Sequence, residues 1–415
     1  MVAHSATLAI NERLQAKRAA GERVVHLGFG EAGLPVPPHL ADVLAAASPL
    51  NAYGPVVGTS QVRRAAAGYF GRRGLPTGED QIIVAPGSKA LLYALITALP
   101  GDVVLPQPSW VTYAAQAALA GKHVIGVPVP PEAGGVPDPD ELDRELREAR
   151  ATGHQPGILV VTLPDNPTGT LASEDLVKRV CAVAAEHDLA IISDEIYRDL
   201  TYRSRVCSPA TVLPDRCFVT SGLSKSMALG GWRIGFSRFP DGALGRRVQR
   251  DVVGIASEIW SSLAAPMQEV AAHVLDESAE TTAHIAASRA LHEHVAKATH
   301  ERFTAAGIPC REPQAAFYLY PDFEPLRPVL AERGVGDADG LAEYLLDQHG
   351  IGVLSGAAFG DDPAGLRFRA ATSLLYGSTD EQRWTALRSD DPTALPWIAD
   401  TLTQLGNALD AIRKP

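Results

Sequence analysis

Along the chain, short runs of consecutive apolar residues recur, separated by longer stretches in which apolar residues fall three or four positions apart. The first kind reads as strands buried on both faces and the second as helices, so the pattern predicts an α/β protein with a mostly parallel sheet. Strands are expected at 81–84, 103–105, 123–127, 157–162, 190–193, 217–220 and 232–236, with helices at 89–99, 111–120 and 174–187 among them. The segment between 220 and 232 is too short for a crossover helix, so one of the last two strands is expected to run antiparallel. After residue 236 the pattern shifts to long helices, broadly 264–306, and then to strands at 317–320 and 352–354 of a second layer. These shifts place a large domain at 48–286 and a smaller, discontinuous one at 1–47 and 287–415.

Composition narrows the class. A chain of 415 residues exceeds one ordinary core, and 46% hydrophobic with 20% charged residues is a globular balance that fits neither disorder nor a membrane protein. The net charge of -11 disfavours nucleic acid or anionic lipid as a partner, so any anionic ligand has to be met by a local positive pocket. Cys181, Cys207, Cys217 and Cys310 form no C-x-x-C pair and have no matching His spacing, which points to reduced thiols, a cytoplasmic location and no metal. Residues 1–17 carry no basic leader ahead of an apolar stretch, and the richest apolar run, 90–99, is too short to span a bilayer.

Several motifs fall at the ends of expected strands. Gly28-Phe29-Gly30-Glu31-Ala32-Gly33 fits the dinucleotide pattern G-x-G-x-x-G, but Leu34-Pro35-Val36-Pro37-Pro38 follows where a helix would have to begin, so that reading fails on context. Asn166, in Leu163-Pro164-Asp165-Asn166-Pro167-Thr168-Gly169, lies beyond the carboxyl end of 157–162, where open α/β sheets bind ligands. Asp194 ends the next strand, with Tyr197 three residues on; an N-cap role for Asp194 competes. Pro86-Gly87-Ser88-Lys89 precedes a helix and offers backbone N–H groups to an anion. Ser221-Gly222-Leu223-Ser224-Lys225 and Gly230-Gly231-Trp232-Arg233 hold a lysine and an arginine on one short loop, an amine for Schiff-base chemistry and a fork for a phosphate.

Taken in order, these segments resemble class I/II aminotransferases, and in particular the prokaryotic-type aspartate aminotransferase branch. The resemblance rests on Gly30-Glu31 with Pro37, Tyr53 with Gly58 and Arg63, Gly87-Ser88-Lys89, Pro108-Ser109-Trp110, Asn166 to Gly169, Asp194 to Tyr197, Ser224-Lys225, Gly231 to Gly235, Phe317-Tyr318 and Leu366-Arg367. It implies the fold type I of pyridoxal-phosphate (PLP) enzymes, with a mostly parallel seven-stranded sheet flanked by helices and a smaller α+β domain. It implies that Lys225 forms the Schiff base and moves the substrate proton, that Asp194 keeps the ring nitrogen protonated, and that Asn166 and Tyr197 bond the phenolic oxygen. Trp110 would stack on the ring. Gly87, Ser88, Lys89, Ser224 and Arg233 would surround the phosphate, together with Tyr53 from a second subunit of a homodimer with shared active sites. Arg367 would clamp the substrate carboxylate, with Gly30 and Asn166 beside it.

The sequence departs from the pattern at Gly222, where the family often has a phosphate-binding serine. Arg369 is not a usual family residue; two positions after Arg367 on a strand, it would point to the same side and either enlarge the positive pocket or face solvent. Lys89 could meet a distal carboxylate, and the segment 383–396 is longer than the family pattern. The implied activity is transfer of an amino group from an amino acid to a 2-oxo acid. A β-lyase, cyclase, dehydratase or oxidase of the same scaffold is the alternative.

Overall fold

The computed structural model describes residues 6–414. Seven strands form the central sheet: β1 (Ile82–Pro86), β2 (Asp102–Gln107), β3 (Val124–Pro128), β4 (Pro156–Thr162), β5 (Ala190–Asp194), β6 (Cys217–Gly222) and β7 (Ile234–Arg238). They lie in the order β1-β7-β6-β5-β4-β2-β3. Only β7 runs against its neighbours; the other pairings are parallel. The expected reversal is therefore present, and its cause is the link from β6 to β7, which holds just a four-residue helix, Leu223–Ser226, and a turn, Gly230–Trp232. That turn also delays the last strand to Ile234 rather than residue 232.

Successive strand residues serve opposite faces of the sheet. On β4, Leu159 and Val161 enter one core while Ile158 and Val160 enter the other, and Ile191 and Ile192 of β5 divide in the same way. Two-sided burial is why these strands read as unbroken apolar runs. Each such side chain contributes roughly 1.5–3 kcal/mol when fully buried, and the charged Asp194 stands at the end of its strand, as the last residue of β5. Flanking helices start where the sequence supplies caps: Asp138 accepts the N–H groups of Asp140 and Glu141 ahead of Pro139–Ala151, and Ser173 accepts that of Leu176 ahead of Glu174–Glu186.

A separate core gathers Val25, Leu27, Leu291, Val295, Phe303, Phe368 and residues up to Ile412. Its three-stranded antiparallel sheet places Phe368–Ala371 between Leu354–Ser355 and Tyr318–Leu319. Residue 286, taken from the sequence as the boundary, sits inside the continuous helix Ala279–Ala305, whose Ile285 packs on the first core and whose Leu291 and Val295 lie in the second. Helix Pro38–Ala47 precedes residue 48, yet its Leu40 is part of the first core. The long C-terminal segment has a packing role: Trp397 donates its ring N–H to the Tyr376 carbonyl at 2.8 Å, and Leu402, Leu405 and Leu409 of helix Pro396–Arg413 fill the second core. Among the described residues no helix is long and apolar enough to cross a membrane.

Candidate active site

The carboxyl ends of the parallel strands open onto a cavity of about 600 Å³. β5 delivers Asp194, the loops after β4 and β6 deliver Asn166 and Lys225, and the loop after β2 delivers Trp110; all four line the cavity. Ser88 and Lys89 open helix Ser88–Ala98 after β1, and Arg233 enters from the turn before β7. Tyr197, Ser224, Gly30 and Arg369 complete the expected residues on its wall, whereas Gly87, Tyr53 and Arg367 do not line it.

Lys225 reaches the cavity from the side, and its amine donates to the carbonyl of Gly30. Burial of the charged form, reinforced by the nearby Arg369 guanidinium, lowers its pKa to about 8. Burial also raises the Asp194 carboxyl to about 6. One Asp194 oxygen accepts the Tyr113 hydroxyl at 2.9 Å and the other the N–H of Ile196 at 3.3 Å, so it is an oriented acceptor as well as a strand-end residue. The Asn166 amide donates to Tyr197 Oη at 3.4 Å, and that hydroxyl bonds Tyr318 Oη at 2.7 Å. Burial, followed by the neighbouring Tyr318, pushes the Tyr197 phenol well above its ordinary range.

Close backbone approach shapes the opposite end. Gly87 has φ 86, and a Cβ there would come within 2.3 Å of the Arg233 guanidinium; one on Gly235 would come within 2.3 Å of the Ser88 nitrogen. Arg233 itself adopts the left-handed conformation at φ 56, ψ 56, which costs a non-glycine residue about 1–2 kcal/mol. In this conformation the guanidinium lies against Gly87, at the start of helix Ser88–Ala98. Gly222 packs on β7, where a Cβ would meet the Ile234 carbonyl at 2.8 Å, and Ser221 turns inward to the Glu195 carbonyl, leaving Ser224 as the hydroxyl of this loop that faces the cavity.

The structure places Arg367 away from the cavity. It lies just ahead of strand Phe368–Ala371, and its guanidinium is taken by Asp361, at 2.8 and 2.9 Å, and faces Asp322 at 3.6 Å. Arg369, two residues further on and inside the strand, is buried in the cavity wall instead. It donates to Asn166 Oδ1 at 3.2 Å and to the Gly28 carbonyl at 2.9 Å, and it sits between the rings of Tyr318 and Phe359. The glycine-rich segment around Gly28 opens no helix, the next one starting at Pro38, and serves as a backbone acceptor for Arg369. Sequence reasoning gave no role to Tyr113, Thr162 or Tyr318; a tyrosine one turn beyond Trp110 at a helix start was the available signal for Tyr113.

A match to the model of the family described as aminotransferase class I and II spans residues 22–374. The chain is 32% identical over 365 residues to the aspartate/prephenate aminotransferase of Thermus thermophilus, covering 86% of this chain and 90% of that protein. It is 30% identical to the aspartate aminotransferase of Bacillus subtilis, covering 89% and 92%. This chain belongs to the class I and II aminotransferases. A solved structure of the Thermus thermophilus aspartate aminotransferase with maleate superposes with a TM-score of 0.83 at 28% identity, over 98% of this chain and 97% of that one. The protein is thus a PLP-dependent aminotransferase acting on amino acids and 2-oxo acids, and lyase or oxidase chemistry is not favoured.

The residues present fit PLP. An amine with a lowered pKa, a buried carboxylate and a glycine cradle against a guanidinium match the aldehyde, ring nitrogen and phosphate of that cofactor. The neutral amine is the nucleophile, so PLP uptake by protein stripped of cofactor is expected to accelerate with rising pH through about 8. Stopped-flow absorbance checks this. A rate still climbing toward the ordinary lysine range would show that Lys225 is not depressed.

One group among the described residues, Asp143, Glu186 and His187, has ligand atoms at metal-like spacing. There His187 Nε2 bonds Asp143 at 2.7 Å, and Arg147 and Arg150 also occupy these atoms.

Proposed function

We propose that this aminotransferase takes a dicarboxylic amino acid as donor, held by Arg369 at the α-carboxylate and by Lys89 at the distal one. The carrying observation is that these two cations line one cavity with Lys225. Lys89 lies 5.3 Å from the Trp110 ring, near the start of helix Ser88–Ala98. The names of the relatives, aspartate and aspartate/prephenate aminotransferase, and the maleate in the solved neighbour, support the same charge pattern.

PLP, when bound, supplies the electron sink that lets the substrate Cα proton leave. Lys225 would accept that proton at Nζ and return it, the role its lowered pKa suits at neutral pH. Asp194, oriented by Tyr113, would hold a proton at the ring nitrogen. Asn166 and Tyr197 would orient the phenolic oxygen, and Ser88, Ser224 and Arg233 would bind phosphate. Tyr53 is 92% exposed and off its own cavity, which suits a contribution to the site of a partner subunit in a homodimer. The two cores support a large domain near 48–286 and a discontinuous small one, with helix Pro38–Ala47 counted with the large.

The test is a half-reaction: PLP-loaded protein is mixed with single amino acids and the cofactor followed from its aldehyde to its amine form. Aspartate or glutamate is expected to convert it stoichiometrically and a 2-oxo acid to reverse the change. In Lys89→Ala, kcat/KM for the dicarboxylic donor is expected to fall by about 10–100-fold, the worth of a charged hydrogen bond, with alanine turnover nearly unchanged. Equal falls for both donors would reject the distal-carboxylate role.

A further inference from the structure

A second cavity, of about 900 Å³, lies between the end of helix Ser60–Arg72, the loop after Leu200 and the start of helix Ala279–Ala305. Six arginines line it: Arg72, Arg73, Arg198, Arg203, Arg205 and Arg289. Two carboxylates, Asp199 and Glu277, line it too. Those carboxylates are already committed, because Arg73 pairs with both at side chains 13–15% exposed and Arg72 pairs with Glu277. Arg198 pairs behind the wall with Glu195.

Of the remaining three arginines, one has a loosely held, shared counter-charge and two have none. Arg203 approaches Glu293 only at 3.6 Å with its side chain 82% exposed, and Glu293 also holds Lys297 at 2.6 Å. The side chains of Arg205 and Arg289 have no hydrogen bond or ion pair among the described residues. In a chain of net charge -11, such a concentration of uncompensated guanidinium groups is a local exception that repels itself unless an anion joins it. Guanidinium forks favour phosphate and carboxylate oxygens through paired N–H donors, and Thr282 adds a hydroxyl to the wall. The volume is within the range of small-molecule sites.

We propose that this cavity binds a small molecule carrying a diphosphate, with Arg203, Arg205 and Arg289 supplying the charge. Inorganic pyrophosphate is the probe, titrated calorimetrically into the PLP-loaded enzyme. The expected result is one saturable site per chain that weakens with added salt. In the double variant Arg205→Ala/Arg289→Ala, affinity is expected to fall at least about tenfold, as loss of charged hydrogen bonds requires, with transamination unchanged. Absence of binding at millimolar pyrophosphate would overturn the proposal. So would equal affinity in the double variant, which would place the ion in the catalytic cavity or on the general surface.

Discussion

Lys225→Ala is expected to lower amino-group transfer by at least about 10³-fold, within the span that a positioned general acid–base group supplies. The amine sits among Gly30, Tyr197 and Arg369, and Asp194 has its own partners in Tyr113 and Ile196. Among the other cavity-lining residues, Tyr197 and Tyr318 have phenols with raised pKa values, and Lys89 belongs to the far wall by its contact with Trp110. None of these is a ready base at neutral pH beside Lys225, and Glu31, the other carboxylate on the wall, is the competing candidate that the variant tests. The side chain makes one hydrogen bond, to the Gly30 carbonyl, so its loss should leave the fold intact, as circular dichroism and the melting temperature would report. Small primary amines added in solution are expected to restore part of the rate by supplying a diffusible base. Activity within tenfold of the unmodified enzyme would assign the proton transfer to another group.

Much of this arrangement was legible in the sequence because it is local. Asp194 ends an apolar strand, Asn166 follows another, and Lys225 sits on a link too short to cross the sheet, so each position follows from strand direction. Burial on both faces made β4 and β5 unmistakable. What was not legible depends on contacts between distant segments. Tyr113 becomes a partner of Asp194 only when helix Thr112–Leu119 packs on the sheet, and Ser221 and Ser224 are separated by which one the Glu195 carbonyl draws inward. Nor does periodicity show that the helix Ala279–Ala305 runs unbroken through residue 286 and changes core along its length, with Ile285 on the first and Leu291 in the second.

Arg367 and Arg369 show the same limit and carry the second large prediction. Alternation along a strand makes the pair equivalent, but only three-dimensional surroundings decide which one is free to bind. Arg367 has carboxylate partners in Asp361 and Asp322 and lies partly exposed at the strand's beginning. Arg369 is 1% exposed, its donors go to the neutral oxygens of Asn166 and Gly28, and its Nε has no partner. A buried cation with neutral partners is costly, and a substrate carboxylate offers the counter-charge that the protein withholds. Arg369→Lys keeps the charge but loses the planar fork, and Arg369→Gln loses both. Removing one partner of a buried charged pair costs about 2–5 kcal/mol, so kcat/KM for every amino acid donor should fall by about 30- to 5,000-fold in Arg369→Gln, and less in Arg369→Lys. Arg367→Ala should leave kcat/KM within about threefold and remove no more than about 1 kcal/mol of stability, as expected for a partly exposed ion pair. The reverse ranking would return the carboxylate to Arg367, and it would require the Asp361 pair to open when substrate binds.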